Sequence, residues 1–306
     1  MSERRLDLAV PYHLLFPLFS SFVFVFGMLF AKQAISRGAS PWTSTFLANL
    51  WLALSWSLVA VWNGEFLPVS GWWQAGLVGL SFVMGQLFTY LAFQHGDVSV
   101  ATPVFGVKVI IVAVILAVLT HEQIAARVWL GAVLATTGVG FIQAGAGSNR
   151  SGGMSAGKAL LTILLALLAA ISLSLFDAGL QTWGKTWGAR QFLPAMFVAT
   201  GILSCALLPV IDSPRRLMTL GVMRPMLVGT ILMAIQAMSM SYSLSRYGDA
   251  TRINIVYALR GLWAVILAWI FARLFGGAEA RHSMTIMLLR LTGAILLTAS
   301  VVVALL

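Results

Sequence analysis

The sequence predicts an all-α polytopic membrane protein of ten transmembrane helices arranged as two inverted five-helix repeats. Three observations point there. Of its 306 residues, 60% are hydrophobic and 9% charged, whereas a soluble domain carries roughly 25% charged side chains. Apolar runs long enough to cross a bilayer recur from one end of the chain to the other. A segment of the first half reappears 152 residues later.

The composition already excludes several classes. With a mean hydropathy of +0.94, too little polar surface remains to cover a water-soluble globule. A soluble enzyme, a disordered chain and a nucleic-acid module are ruled out. The net charge of +10 comes from cations scattered singly at the ends of apolar runs, as membrane flanks are. Cys205 is the single cysteine, which excludes a disulfide framework and a Cys-based metal cluster.

A helix needs about 20 mainly apolar residues to span the hydrocarbon core. Runs of that kind cover residues 12–34, 43–62, 70–93, 98–119, 127–145, 158–181, 190–211, 223–245, 250–273 and 283–306. The first follows Arg4 and Arg5 in the manner of a signal peptide. It is too long for one and lacks a small-x-small cleavage site, so it reads as a retained helix. A β-barrel would need alternating polarity, and the run from Val109 to Leu116 does not alternate. Trp42, Trp62, Trp72, Trp73, Trp129, Trp183 and Trp187 fall near span ends, where indoles favour the interface. Trp51, Trp56, Trp263 and Trp269 sit deeper. Cations divide seven against nine between the two faces, which sets no orientation.

The Gly/Ser-rich stretch 146–157 divides the spans five and five, giving repeats at residues 1–145 and 158–306. Tyr90, Gly96 and Asp97 align without gaps on Tyr242, Gly248 and Asp249. The same register puts Thr102 on Asn254, Phe105 on Tyr257 and Lys108 on Arg260. Because five is odd, the second repeat enters from the opposite side. Inverted repeats with a site near the midplane are common among secondary transporters.

Tyr-x-x-x-x-x-Gly-Asp-(Val/Ala)-(Ser/Thr) thus stands at the start of the fourth and ninth spans. Leu119-Thr120-His121-Glu122 puts an acid after the fourth span, and Gly131 to Gly138 is a small-residue run in the fifth. On these pieces the whole chain resembles the drug/metabolite transporter superfamily, closest to its EamA-type members. The resemblance implies a proton- or gradient-coupled carrier of small metabolites, often an exporter, with both termini cytoplasmic. It departs from the family at Arg260 and Arg290, and at the longer turn from Arg273 to Glu279.

Charges inside a membrane are costly, about 2.5–3.5 kcal/mol each on insertion scales, and mark function by default. Lys108 and Arg260 lie at matching depths. They read as two symmetric cations binding a carboxylate or phosphate in a central cavity, or as structural partners that snorkel or pair. Asp177 shares a helical face with Ser174 and Gln181. It reads as a coupling site, as a salt bridge to Lys108, Arg260 or Lys32, or as both. Tyr257 lies on the face of Arg260. Gln86 with Tyr90, and Tyr242 in the second repeat, would orient the rest of a ligand, although both tyrosines also suit interfacial anchoring. Pro103 and Gly106 precede Lys108 and would make a hinge or a static kink. Arg290, near a span end, suits snorkelling. Gly131, Ala135 and Gly138 would pack against a helix of the same chain or, secondarily, of a homodimer.

Other signals fail. The stretch from Gly152 to Lys158 imitates a P-loop but is followed by Ala159 in place of Ser/Thr. The four histidines form no ligand pair, so no metal or cofactor is expected and an enzyme is disfavoured. The expected function is therefore secondary-active transport by alternating access. The substrate would be an amino acid or other anion bearing carboxylate or phosphate, moved outward across a bacterial inner membrane with protons as the coupling ion. Export of amphipathic cations and a non-transporting scaffold or sensor are the rivals. The intramembrane charges, three cations against one acid, disfavour the first.

Overall fold

The computed structural model describes residues 11–95, 104–119, 121, 123–147, 156–275 and 284–306. Every element among them is helical. After a 3₁₀ turn at Tyr12–Leu14 come α1 (Leu15–Ser36), α2 (Pro41–Asn63), α3 (Trp72–His95), α4 (Lys108–Leu119) and α5 (Ala126–Gly147). The second half holds α6 (Ala156–Trp187), α7 (Ala189–Ser204) with a 3₁₀ extension at Cys205–Val210, the short α8 (Pro214–Thr219) and α9 (Met223–Tyr247). It closes with α10 (Ala250–Tyr257), α11 (Arg260–Phe275) and α12 (Met284–Leu305). Eight helices among the described residues are long and apolar enough to cross a membrane, with shorter apolar helices at Val104–Leu119 and Ala126–Ile142. The chain is an integral multi-pass membrane protein, so its exposed Leu58, Leu77, Leu161, Leu291 and Ile295 meet lipid.

Local chemistry sets the ends. Ser40 caps α2 by accepting from the Trp42 amide, Pro41 occupies the first turn, and Gly64 at φ +66° closes the helix in the left-handed region. In the second half of the repeated motif, Gly248 has φ +74° and a Cβ there would strike the Lys185 side chain. Asp249 follows at φ +60°. The motif is thus a tight turn into α10. Within the bilayer, Ser57, Ser81 and Thr137 donate to carbonyls one turn back on their own helices and so bury no free hydroxyl.

The sixth predicted span stops at residue 181, but α6 continues to Trp187. Its last turns are held by Trp183 against Trp73 and by Trp187 donating to Gln74. The ninth predicted span is split: a tight turn at Ala258 and Leu259 separates α10 from α11, with Gly261 bonding back to Ala258. A similar tightening at Val107, whose amide bonds to Val104, precedes α4. Each tightened turn is followed by a cation as the first residue of the next helix, Lys108 in α4 and Arg260 in α11.

Packing follows a regular scheme. α1 packs on α9 and α3 on α6; α2 packs on α7 and α5 on α12; α2 also meets α9, and α3 meets α7. Small residues permit the closest approaches. At Gly138 a Cβ would lie 2.9 Å from the Gly293 carbonyl oxygen, and at Gly293 one would lie 2.6 Å from the Gly138 oxygen. The small-residue face of the fifth span is therefore covered by α12 of the same chain, and a homodimer contact would need another surface.

Candidate functional site

The central cluster forms where α4, α6 and α10 converge. Lys108 Nζ lies 2.7 Å from Asp177 Oδ2. Asn254 donates to the same oxygen at 2.7 Å and also to the Ala250 carbonyl at 2.9 Å. The Ser174 hydroxyl donates to the Lys108 carbonyl at 3.3 Å, and Gln181 accepts from the Ala250 amide at 2.7 Å. Ser174, Asp177 and Gln181, spaced along one face of α6, thus bind α4 and α10 together. Asp177 is 1% exposed, and a carboxylate so buried is tolerable only when paired and hydrogen-bonded. Of the three cations the sequence offered it, the partner is Lys108.

Arg260 is placed differently. Its guanidinium carbon lies 4.4 Å from the Tyr257 ring centroid and 5.2 Å from that of Phe24 on α1. It makes no ion pair among the described residues, and it is within Coulombic reach of Lys108. The Tyr257 hydroxyl donates to Gln236 Oε1 on α9 at 2.9 Å, and the Gln236 carbonyl accepts from Ser20 on α1 at 3.0 Å. Among the described residues, two cations and one carboxylate leave the cluster one positive charge in excess.

The remaining residues singled out by sequence make their contacts elsewhere. Gln86 exchanges amide hydrogen bonds with Asn49 at 2.8 and 3.1 Å, and Asn49 also donates to Ser204 at 2.8 Å. That network clasps α2, α3 and α7. Tyr90 packs on Trp42, with centroids 5.4 Å apart, whereas Tyr242 packs on Phe16 and Tyr247. Gly106 lies against Val139, and its carbonyl accepts from Thr136 at 3.1 Å. Pro103, Gly96, Asp97, Thr102 and the linker core 148–155 lie outside the described residues. Arg290 is half-buried in α12.

Two members of the cluster had no assigned role in the sequence reading, Asn254 and Gln236. Gln236 is a lone amide in an apolar stretch and Asn254 stands between Ile253 and Ile255, and those are the signals that could have found them. A buried amide must be hydrogen-bonded, so one inside a membrane helix points at a polar neighbour.

Comparison with known proteins agrees with this architecture. Among 29 matching chains of known structure, one crystal structure shares 14% sequence identity over 96% of each chain, with a TM-score of 0.66. That is a likeness of fold. No curated protein sequence matches the chain. Residues 12–143, spanning α1 to α4 and most of α5, match the model of the EamA-like transporter family. The first half of this multi-pass membrane protein is thus similar to the EamA-like transporter family.

Proposed function

We propose that this protein is a secondary-active carrier that moves a small anionic metabolite, bearing a carboxylate or phosphate, by alternating access. The observation that carries the reading is the unequal treatment of the two cations. Lys108 is committed to Asp177, while Arg260 is held between two aromatic rings and makes no ion pair among the described residues. Arg260 is the anion-binding group, and its planar fork suits bidentate recognition of a carboxylate or phosphate. Tyr257, fixed by Gln236, sets its orientation. Gln86, Tyr90 and Tyr242 would meet the ligand only along its path, since their contacts lie outside the cluster.

Asp177 is the coupling group. A proton arriving on its carboxylate would release Lys108 from the pair and loosen α4 from α6 and α10. Proton binding and a change of helix packing are then one event. The tight turns, with Gly106 on the first, are where the helices would bend; Pro103 precedes the first in the sequence.

Two inverted repeats, residues 1–145 and 158–306 joined by 146–157, support alternating access. The helix pairing favours them: exchanging α1 to α5 for α6, α7, α9, α10–α11 and α12 turns the α1–α9 contact into α6–α3. It returns α2–α7 and α5–α12 to themselves. Export across a bacterial inner membrane is the direction and place we assign.

The test is thermal unfolding of the detergent-purified protein against amino acids, other carboxylates, phosphorylated metabolites and organic cations. A ligand at 100 times its dissociation constant adds about 2.7 kcal/mol to native stability. Stabilisation by one anionic class, lost in Arg260→Ala and weakened in Lys108→Ala, is the expected result. Stabilisation by cations alone would overturn the anion assignment.

A further inference from the structure

Away from the central cluster, α9 packs on both α1 and α2, whereas α1 and α2 make at most slight contact with each other. The gap between them is a cavity of about 820 Å³, with Phe16 and Phe19 of α1, Trp56 of α2, and Met238, Ser239 and Tyr242 of α9 in its walls. Its lining is almost wholly apolar. The Ser239 hydroxyl is already spent on the Phe16 carbonyl at 3.2 Å. The lateral rim is exposed: Phe19 is 50% and Ile235 39% accessible. The crevice therefore opens sideways, into the hydrocarbon that surrounds a multi-pass protein, and its remaining polar groups are the phenol hydroxyls of Tyr12 and Tyr242 and the indole N–H of Trp56.

Its outer end is different. Residues 235, 238, 239 and 242 share one face of α9, and one turn beyond Tyr242 on that face stands Arg246. Arg246 is exposed at the end of the helix. It lies 5.9 Å from the Tyr247 ring and makes no ion pair among the described residues. An apolar crevice running inward from an exposed cation at helix-end level has the chemistry of an anionic amphiphile. We propose that this crevice is a binding site for an anionic phospholipid of the surrounding leaflet, with one acyl chain between α1 and α2 and its phosphate at Arg246. The chain covers the α9 floor that the separation of α1 from α2 leaves bare. The headgroup charge sets the preference, since a basic side chain at an anionic membrane surface favours binding about five-fold.

Native mass spectrometry of the full-length protein tests this, after delipidation and exposure to equimolar phosphatidylglycerol and phosphatidylcholine in mixed micelles. The expected result is one retained lipid, enriched about five-fold in phosphatidylglycerol. Arg246→Ala should keep the bound lipid but bring the headgroup ratio close to one. Ile235→Trp, which adds bulk from the lipid-facing rim without touching the core, should lose the retained lipid of either kind. Equal retention in wild type and Ile235→Trp would overturn the site, as would a headgroup preference that survives Arg246→Ala. A dimer peak replacing the lipid-bound monomer would assign the crevice to a second copy of the chain and overturn the proposal too.

Discussion

Lys108 and Asp177 meet at 2.7 Å across the boundary between the two halves of the chain, and Asn254 donates to the carboxylate oxygen that the ammonium touches. Three helices from distant parts of the sequence are thereby fixed to one atom. Removing Lys108 alone strands a buried carboxylate, at a cost of about 3–5 kcal/mol, whereas replacing both partners by apolar residues of similar volume is far milder. Lys108→Met and Asp177→Leu should each lower the unfolding temperature in detergent, and the double variant should recover most of the loss. Transport in proteoliposomes should stay absent in all three. A double variant no more stable than the singles would show that the pair carries no coupled energy.

Among the described residues, Arg260 owes its place to two rings, at 4.4 and 5.2 Å, and not to an acid. Arg260→Lys keeps the charge but loses the planar contact with Tyr257 and Phe24, which is worth about 0.5–2 kcal/mol. Ligand affinity should fall about ten-fold, equivalent to about 1.4 kcal/mol, with a cooperative melt retained. Titration of ligand-induced stabilisation measures it, and an unchanged affinity would remove Arg260 from the binding site.

The bundle was legible in the sequence because a backbone in lipid must satisfy its own hydrogen bonds, so each apolar run has a single solution. The interruptions were less legible. Nothing in the composition around Ala258 and Leu259 announces a break, and the turn there becomes visible only from the backbone bonds of Leu259 and Gly261. The sixth span reads as ending at residue 181, yet α6 runs on to Trp187 because Trp183 and Trp187 find partners, Trp73 and Gln74, on α3. Asp177 was legible as a buried acid in need of a cation. Its choice of Lys108 over Arg260 or Lys32 was not, because periodicity fixes a residue's face and not the helix opposite. Asn254 was passed over because a neutral amide costs less to bury than a charge and draws less notice.

The seam between α5 and α12 rests on Gly138 and Gly293 facing each other's carbonyls. A side chain at either position must push the helices apart, and overpacking a close contact costs about 1–3 kcal/mol. Gly293→Leu should destabilise the detergent-solubilised protein by at least that much. Gly140→Leu, on the same helix as Gly138 but with open space around it, should leave the melt unchanged. Equal effects at the two positions would mean that side-chain bulk anywhere on α5 or α12 is harmful, and that the seam is not special.

The ends of α6 and α9 meet tightly. A Cβ at Gly184 would fall 2.8 Å from the Ser245 Cβ, and Gln181 holds the Ala250 amide just beyond. The corresponding ends in the first half, those of α1 and α3, have no comparable packing among the described residues. If the halves exchange roles during transport, the α6–α9 contact must open when the α1–α3 contact closes. A disulfide needs Cβ atoms about 3.5–4.5 Å apart, which about 0.7–1.7 Å of separation here would supply. In a Cys205→Ser background, which removes the single native cysteine, Gly184→Cys with Ser245→Cys should cross-link under mild oxidation. Transport should then stop and should return on reduction, while ligand-induced stabilisation in detergent persists. Flux that continues through the cross-linked protein would mean that these two helix ends stay together throughout the cycle, and the moving contact would have to be sought elsewhere.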